Sequence, residues 1–300
     1  KFMEENRNRP MFILFSTNLP HGPVDIPPAE NKYAGHPAIR QAYAGAAGGN
    51  RECAGAAEEY ASMVDKLDRQ VGAILAQVHK LGLEKRTIIV FSSDNGHELY
   101  YRTDKERGRG LNCHGGVLDG TGELLDVFRG SRGLIGQKNA MVNLAGLKWT
   151  NHEGGIRVPL IVSWPGTVPH GKVCRSLVAS YDHMATFAEL AGVGMPEGKD
   201  SVSYKNMLFG KPSSQRDYVV VDHTVITGDG WKLTHKQDKW LLFQISSDPE
   251  ERHNLAETRK DQLERLQAIY RKEAGSPRKD RQKPEQPRKT ALFPPLAFAG

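Results

Sequence analysis

The stretch FSSDNGHE (91–98) closes an apolar run with a carboxylate and an amide side by side. Asp94 and Asn95 both offer hard oxygen donors, which suit Ca2+ or Mg2+ better than a soft metal. Asp-Asn-Gly is also an ordinary turn sequence, so the pair alone does not decide the matter. Two further stretches add positive and titratable groups. His21 lies in PHGP (20–23), just after the apolar run MFILFSTN (11–18). Lys148 stands five residues before Glu153-Gly154-Gly155 in LKWTNHEGGIRVPLIVSWPG (147–166). In open α/β sheets ligands bind beyond the carboxyl ends of strands, which is where Asp94, Asn95 and His21 fall. Polar groups on neighbouring loops at one edge of a sheet resemble an active-site rim. His97 and His152 adjoin these motifs and are candidates for touching substrate. Cys113-His114 resembles a metal pair only in composition, with no second pair close to it in sequence.

These residues need a scaffold, and the hydrophobic pattern outlines one. MFILFSTN (11–18), TIIVFSS (87–93) and RVPLIVSWP (157–165) read as strands buried on both faces. Between Glu52 and Leu83 apolar residues recur every three or four positions, which marks a long amphipathic helix that Gly82 can end. Asp182 is placed to cap a helix stopped by Gly192. Strands alternating with helices predict an α/β domain over 1–200 with a mostly parallel sheet flanked by helices. Beyond residue 200 the period changes to that of strands. Residues 218–223, 224–228, 231–236 and 240–245, with a helix over 256–273, predict a small antiparallel sheet and helix spanning 201–275. The basic, Pro- and Gln-rich end, 276–300, reads as a disordered tail.

Composition excludes several classes. The net charge is +6, but residues 271–289 hold eight Lys/Arg against three Asp/Glu, so nearly all of the excess lies in the tail. That placement argues against nucleic-acid binding. No apolar run is long enough to span a bilayer as a helix, so no membrane partner is expected. Three cysteines without CxxC spacing exclude a dense disulfide framework and a Cys-rich zinc site. Oligomeric state is not readable from the sequence.

Taken together, PHGP (20–23), KLGL (80–83), IIVFSSDNG (88–96), Lys148 with EGGIRVP (153–159), SYDHMATFAELAGV (180–193), WKL (231–233) and LFQISSDPEERHNLA (242–256) resemble the sulfatase family of the alkaline-phosphatase superfamily. The resemblance implies an alkaline-phosphatase-like fold and hydrolysis of a sulfate monoester. It implies that Asp94 and Asn95 ligate one Ca2+ per chain. It further implies that Lys148 contacts the sulfate and the ester oxygen, and that His21 lies beside the leaving group as general acid. The family's nucleophile is a formylglycine made from Cys or Ser in a C/S-x-P-x-R motif, and no Cys or Ser here stands in that motif. The remaining calcium ligands also precede the PHxP element in the family. The chain is therefore expected to be the C-terminal portion of a sulfatase, inactive alone, with the formylglycine and two further aspartates in an N-terminal part.

Two other functions compete with this reading. One is a phosphate or phosphonate ester hydrolase of the same superfamily, although Asn95 directly after Asp94 favours a single calcium site. The other is a non-catalytic relative that binds a sulfated ligand without cleaving it. The substrate is expected to be a small-molecule or glycan sulfate ester, with selectivity set by the Gly-rich segment 99–145. Family analogy places the protein in the periplasm, a lysosome or outside the cell.

Overall fold

A computed structural model of the 300-residue chain describes residues 1–22, 26–44, 51–96, 100–103, 110–113, 144–145, 148, 150–195, 197–211, 216–236 and 239–275. The tail 276–300 and most of the 99–145 segment lie outside these residues, as does His97.

The N-terminal part is organised by two helices, α1 (Pro37–Ala44) and α2 (Arg51–Lys80). The first half of α2 is apolar enough to be buried. Ala54, Ala56, Ala57 and Met63 form a cluster with Ile26 and Ile39, against which Leu19, Tyr33 and Tyr60 pack. Polar contacts fix the same interface. The Arg40 guanidinium donates to the Glu58 carboxylate at 2.8 Å, and the Ser62 hydroxyl joins Asn31 and the Tyr33 amide. Toward its C-terminus α2 becomes exposed, with Leu75 at 43%. It ends at Gly82, whose φ of +65° turns the chain. The Gly82 amide donates to the His79 carbonyl and the Leu83 amide to the Val78 carbonyl, satisfying carbonyls the helix leaves open.

Two short strands carry the motif-bearing loops. β1 (Ile89–Ser92) precedes Asp94-Asn95-Gly96, and β4 (Leu160–Ser163) follows Glu153-Gly154-Gly155. They pair antiparallel, with Ile89 opposite Ser163 and Ser92 opposite Leu160, so both motifs emerge at one end of the pair. This differs from the expected mostly parallel sheet: among the described residues every strand pairing is antiparallel. Residues 11–18, expected as a buried strand, form no strand, and Phe12 and Leu14 are 74% and 80% exposed. The apolar pattern states what this segment could bury. A strand also needs neighbours for its amides, carbonyls and two faces, and none of the described residues supplies them. Between β1 and β4, β2 (Tyr100–Thr103) and β3 (Gly110–Cys113) form a separate antiparallel hairpin.

Helix α3 (Asp182–Ala191) stops at Gly192, which has φ of +68°. Asp182 does not cap it as expected. Its carboxylate accepts from the amides of Ala179 and Val202 and from the Arg216 guanidinium. A buried carboxylate is better stabilised by a charged partner and two amides than by a single helix amide.

The C-terminal sheet follows the sequence pattern closely. β5 (Tyr218–Val221), β6 (Thr224–Thr227), β7 (Trp231–Lys236) and β8 (Lys239–Gln244) form an antiparallel meander in chain order. Helix α4 (Lys260–Gly275) covers one face through Leu263, Leu266 and Ile269, packed on Val225, Trp231, Leu233 and Leu242. Side chains alternate across a strand, so Lys232, between Trp231 and Leu233, points to the opposite face. It is wholly buried there.

Candidate active site

His21 is delivered by a tight turn in which its amide donates to the Asn18 carbonyl at 2.7 Å. Leu19, two residues earlier, anchors that turn on the α2 cluster. Lys148 arrives from 127 residues further along the chain, and its Nζ lies 2.8 Å from His21 Nε2. The other ring nitrogen, Nδ1, faces the Gly22 carbonyl at 2.5 Å. A carbonyl only accepts, so Nδ1 donates to it and leaves Nε2 to accept from the lysine. Two nitrogens thus meet with one shared proton between them. Such a pair can bind an anion and supply a proton to a leaving oxygen.

The Asp94–Asn95 loop is held against the glycine turn of residues 153–156. The Gly96 amide donates to the Gly155 carbonyl at 2.9 Å. A Cβ on Gly96 would sit 1.8 Å from the Gly154 carbonyl oxygen, so only glycine allows this approach. Within the loop, Ser93 Oγ donates to the Asn95 carbonyl and Asn95 Nδ2 to the Gly96 carbonyl. Asp94 is exposed. The donor chemistry of Asp94 and Asn95 fits calcium, but one carboxylate and one amide fall short of the six to eight oxygens that ion takes. Among the described residues no group of three or more His, Cys, Asp or Glu side chains is placed to hold a metal.

His152, expected to reach substrate, has a partner inside the protein: its Nδ1 lies 2.7 Å from Glu251 Oε2. Glu251 belongs to a buried network that sequence reasoning missed. Its Oε1 accepts from the Glu153 amide at 2.7 Å and from Lys232 Nζ at 2.9 Å. Lys232 Nζ also reaches Glu153 Oε1 at 3.0 Å, and Arg157 lies 3.5 Å from the other Glu153 oxygen. Burial alone would raise the Glu251 carboxyl, but the His152 hydrogen bond and the Lys232 charge bring it below its ordinary value. The alternation Trp-Lys-Leu-Thr in β7 was the available signal, because it puts a lysine on a sheet face that has to be covered. His97 lies outside the described residues, and Cys174 is exposed.

Comparison with solved structures gives the fold first. The chain superposes on a Bacteroides thetaiotaomicron protein of glycosaminoglycan metabolism with a TM-score of 0.63 at 22% identity, covering 91% of this chain and 52% of that one. It also matches a structure solved in complex with its substrate D-glucosamine-2-N,6-O-disulfate, with a TM-score of 0.53 at 21% identity over 75% of this chain and 42% of that one. These likenesses show a shared fold, built among the described residues of antiparallel sheets and helices. The sulfatase family model matches residues 1–193, and a model of the N-sulphoglucosamine sulphohydrolase C-terminal region matches residues 148–274. The chain belongs to the sulfatase family. An N-acetylgalactosamine-6-O-sulfatase of Bacteroides thetaiotaomicron is 26% identical over 226 residues, 68% of this chain and 39% of that protein. Rat steryl-sulfatase is 27% identical over 191 residues, 62% of this chain and 28% of that protein. The chain therefore spans well under half the length of these relatives.

Proposed function

We propose that this chain is the C-terminal part of a sulfuric ester hydrolase, and that His21, Lys148, Asp94 and Asn95 form one wall of its active site. The observation that carries this reading is the 2.8 Å approach of Lys148 Nζ to His21 Nε2, made by two motifs 127 residues apart. The Lys148 ammonium attracts the sulfate oxygens. As the sulfur–oxygen bond breaks, its electron pair leaves on the ester oxygen, and the proton held between Lys148 and His21 converts that oxygen to an alcohol. Formylglycine, on a residue outside this chain, would supply the attacking hydroxyl. Asp94 and Asn95 would hold Ca2+ together with further oxygen donors, and the ion would supply positive charge beside the sulfate.

A sulfated sugar is the favoured substrate class. The support is that one structural neighbour was solved with a sulfated glucosamine as its substrate and another with a neocarrahexaose. A mostly parallel sheet would form around the run 11–18, whose exposed Phe12, Ile13, Leu14 and Phe15 are what helices flanking that sheet would cover. Parallel assays of a sulfate and a phosphate ester, using protein expressed from its whole coding sequence, test the reading. Sulfate release well above phosphate release is expected. The reverse order would assign the chain to a phosphoesterase.

A further inference from the structure

Residues 150–157, which follow Lys148, are gripped on one side by the Gly96–Gly155 hydrogen bond. On the other side they meet the C-terminal sheet at several points. Asn151 Nδ2 donates to Asp222 Oδ2 at 3.2 Å in the β5–β6 turn. His152 and the Glu153 amide both meet Glu251, and Lys232 joins Glu153 to Glu251. The Gly154 amide donates to the Ala145 carbonyl, and the Ala145 amide reaches the Pro249 carbonyl. The side chains of Lys232 and Glu251 are fully buried and that of Glu153 is 4% exposed. Glu251 has φ of +50°, an uncommon conformation for a residue with a side chain.

Charges removed from water are weak evidence for stability, because apolar residues of similar volume serve as well or better. What such a network does supply is directional contact, which fixes one geometry among several. Lys232 and Glu251 lie 84 and 103 positions beyond Lys148, so they can hold its segment only through the folded C-terminal sheet.

We propose that Lys232 and Glu251 are positioning residues, through which the C-terminal sheet holds the 148–157 segment so that Lys148 meets His21. The inference rests on the sulfatase reading only for its effect on rate. Its geometric content stands separately. Loss of the network lets Lys148 retreat, and a misplacement of about 1 Å in a reacting group costs about 100-fold in rate.

The test uses protein expressed from its whole coding sequence, with Lys232→Met, Glu251→Gln and the double variant. Each single change leaves the network with unbalanced charge and lowers the melting temperature. The double variant leaves Glu153 facing Arg157 with no net charge and recovers the melting temperature. Its kcat on a sulfate ester is expected to stay about 100-fold low, with KM raised as well, because Lys148 both attracts the sulfate and serves the leaving oxygen. A purely structural role would restore kcat together with melting, and that result overturns the proposal. A crystal structure of the double variant decides independently of activity. The Lys148–His21 contact should be broken, and its retention near 2.8 Å would refute the proposal even if wild-type protein cleaved no sulfate ester.

Discussion

Replacing Gly96 with alanine is the sharpest test of how the two motif loops fit together. The new Cβ would lie 1.8 Å from the Gly154 oxygen, 2.7 Å from its carbonyl carbon and 2.9 Å from the Gly155 carbonyl carbon. Ordinary contact begins at 3.4 Å, so the backbones must separate by about 1.6 Å. The obstacles are backbone atoms, and Gly154 is itself tied to the Ala145 carbonyl at 2.7 Å, so no flexible side chain can yield. Overpacking of this kind costs about 1–3 kcal/mol. Loss of the Gly96–Gly155 hydrogen bond adds about 0.5–1.5 kcal/mol. The sum, roughly 2–4 kcal/mol, corresponds to a fall of roughly 5–15 °C in melting temperature for a domain of this size. Separation on this scale also moves Asp94 and Asn95 away from the segment bearing Lys148, and turnover should fall about 100-fold. Gly72 is the control, because a Cβ there meets nothing within 4 Å in the exposed half of α2. Gly72→Ala should stabilise by about 0.5–1 kcal/mol. Calorimetric melting of both variants, with rates measured alongside, checks the pair. If Gly96→Ala melts within about 2 °C of wild type, below the smallest shift expected from the clash, the close approach of the two loops is wrong.

Lys148→Ala should lower turnover about a hundred- to thousandfold without changing the melting temperature, as expected for removal of a charge-stabilising donor; parallel kinetics and melting check this. Arg216→Ala leaves the Asp182 carboxylate, 3% exposed, without its ion-pair partner and should cost about 3 kcal/mol in a denaturant titration. Glu251 is held below the ordinary glutamate value of 4.5, so its stabilising contribution is complete above that pH and is lost as pH falls through its lower folded value. Melting temperature should therefore drop as pH falls below about 4.5, and Glu251→Gln should flatten this dependence over the same range.

The local elements were largely legible in the sequence. The heptad-like recurrence in α2, the stop glycines Gly82 and Gly192, and the four C-terminal strands all depend on short-range patterns that the structure keeps. His21 and Lys148, singled out separately in the sequence, meet although 127 residues separate them. Strand direction was not legible, because composition sets whether a segment is buried but not which neighbour it joins. The antiparallel pairing of β1 with β4, and the lack of a strand partner for 11–18 among the described residues, could not be read from it. The charged network was hidden for a similar reason. A lysine in a short strand and a glutamate in a turn look solvated until the fold brings Lys232, Glu153 and Glu251 together.

Calcium dependence of sulfate release tests the central claim most directly. Protein expressed from its whole coding sequence would be stripped of metal, and release of inorganic sulfate from a sulfate ester would be followed as Ca2+ is added back. Activity should rise to saturation with Ca2+, and Asp94→Ala and Asn95→Ala should each shift the titration to higher Ca2+ while leaving the fold intact. Sulfate release unaffected by either substitution would contradict the account and reduce Asp94-Asn95-Gly96 to a turn.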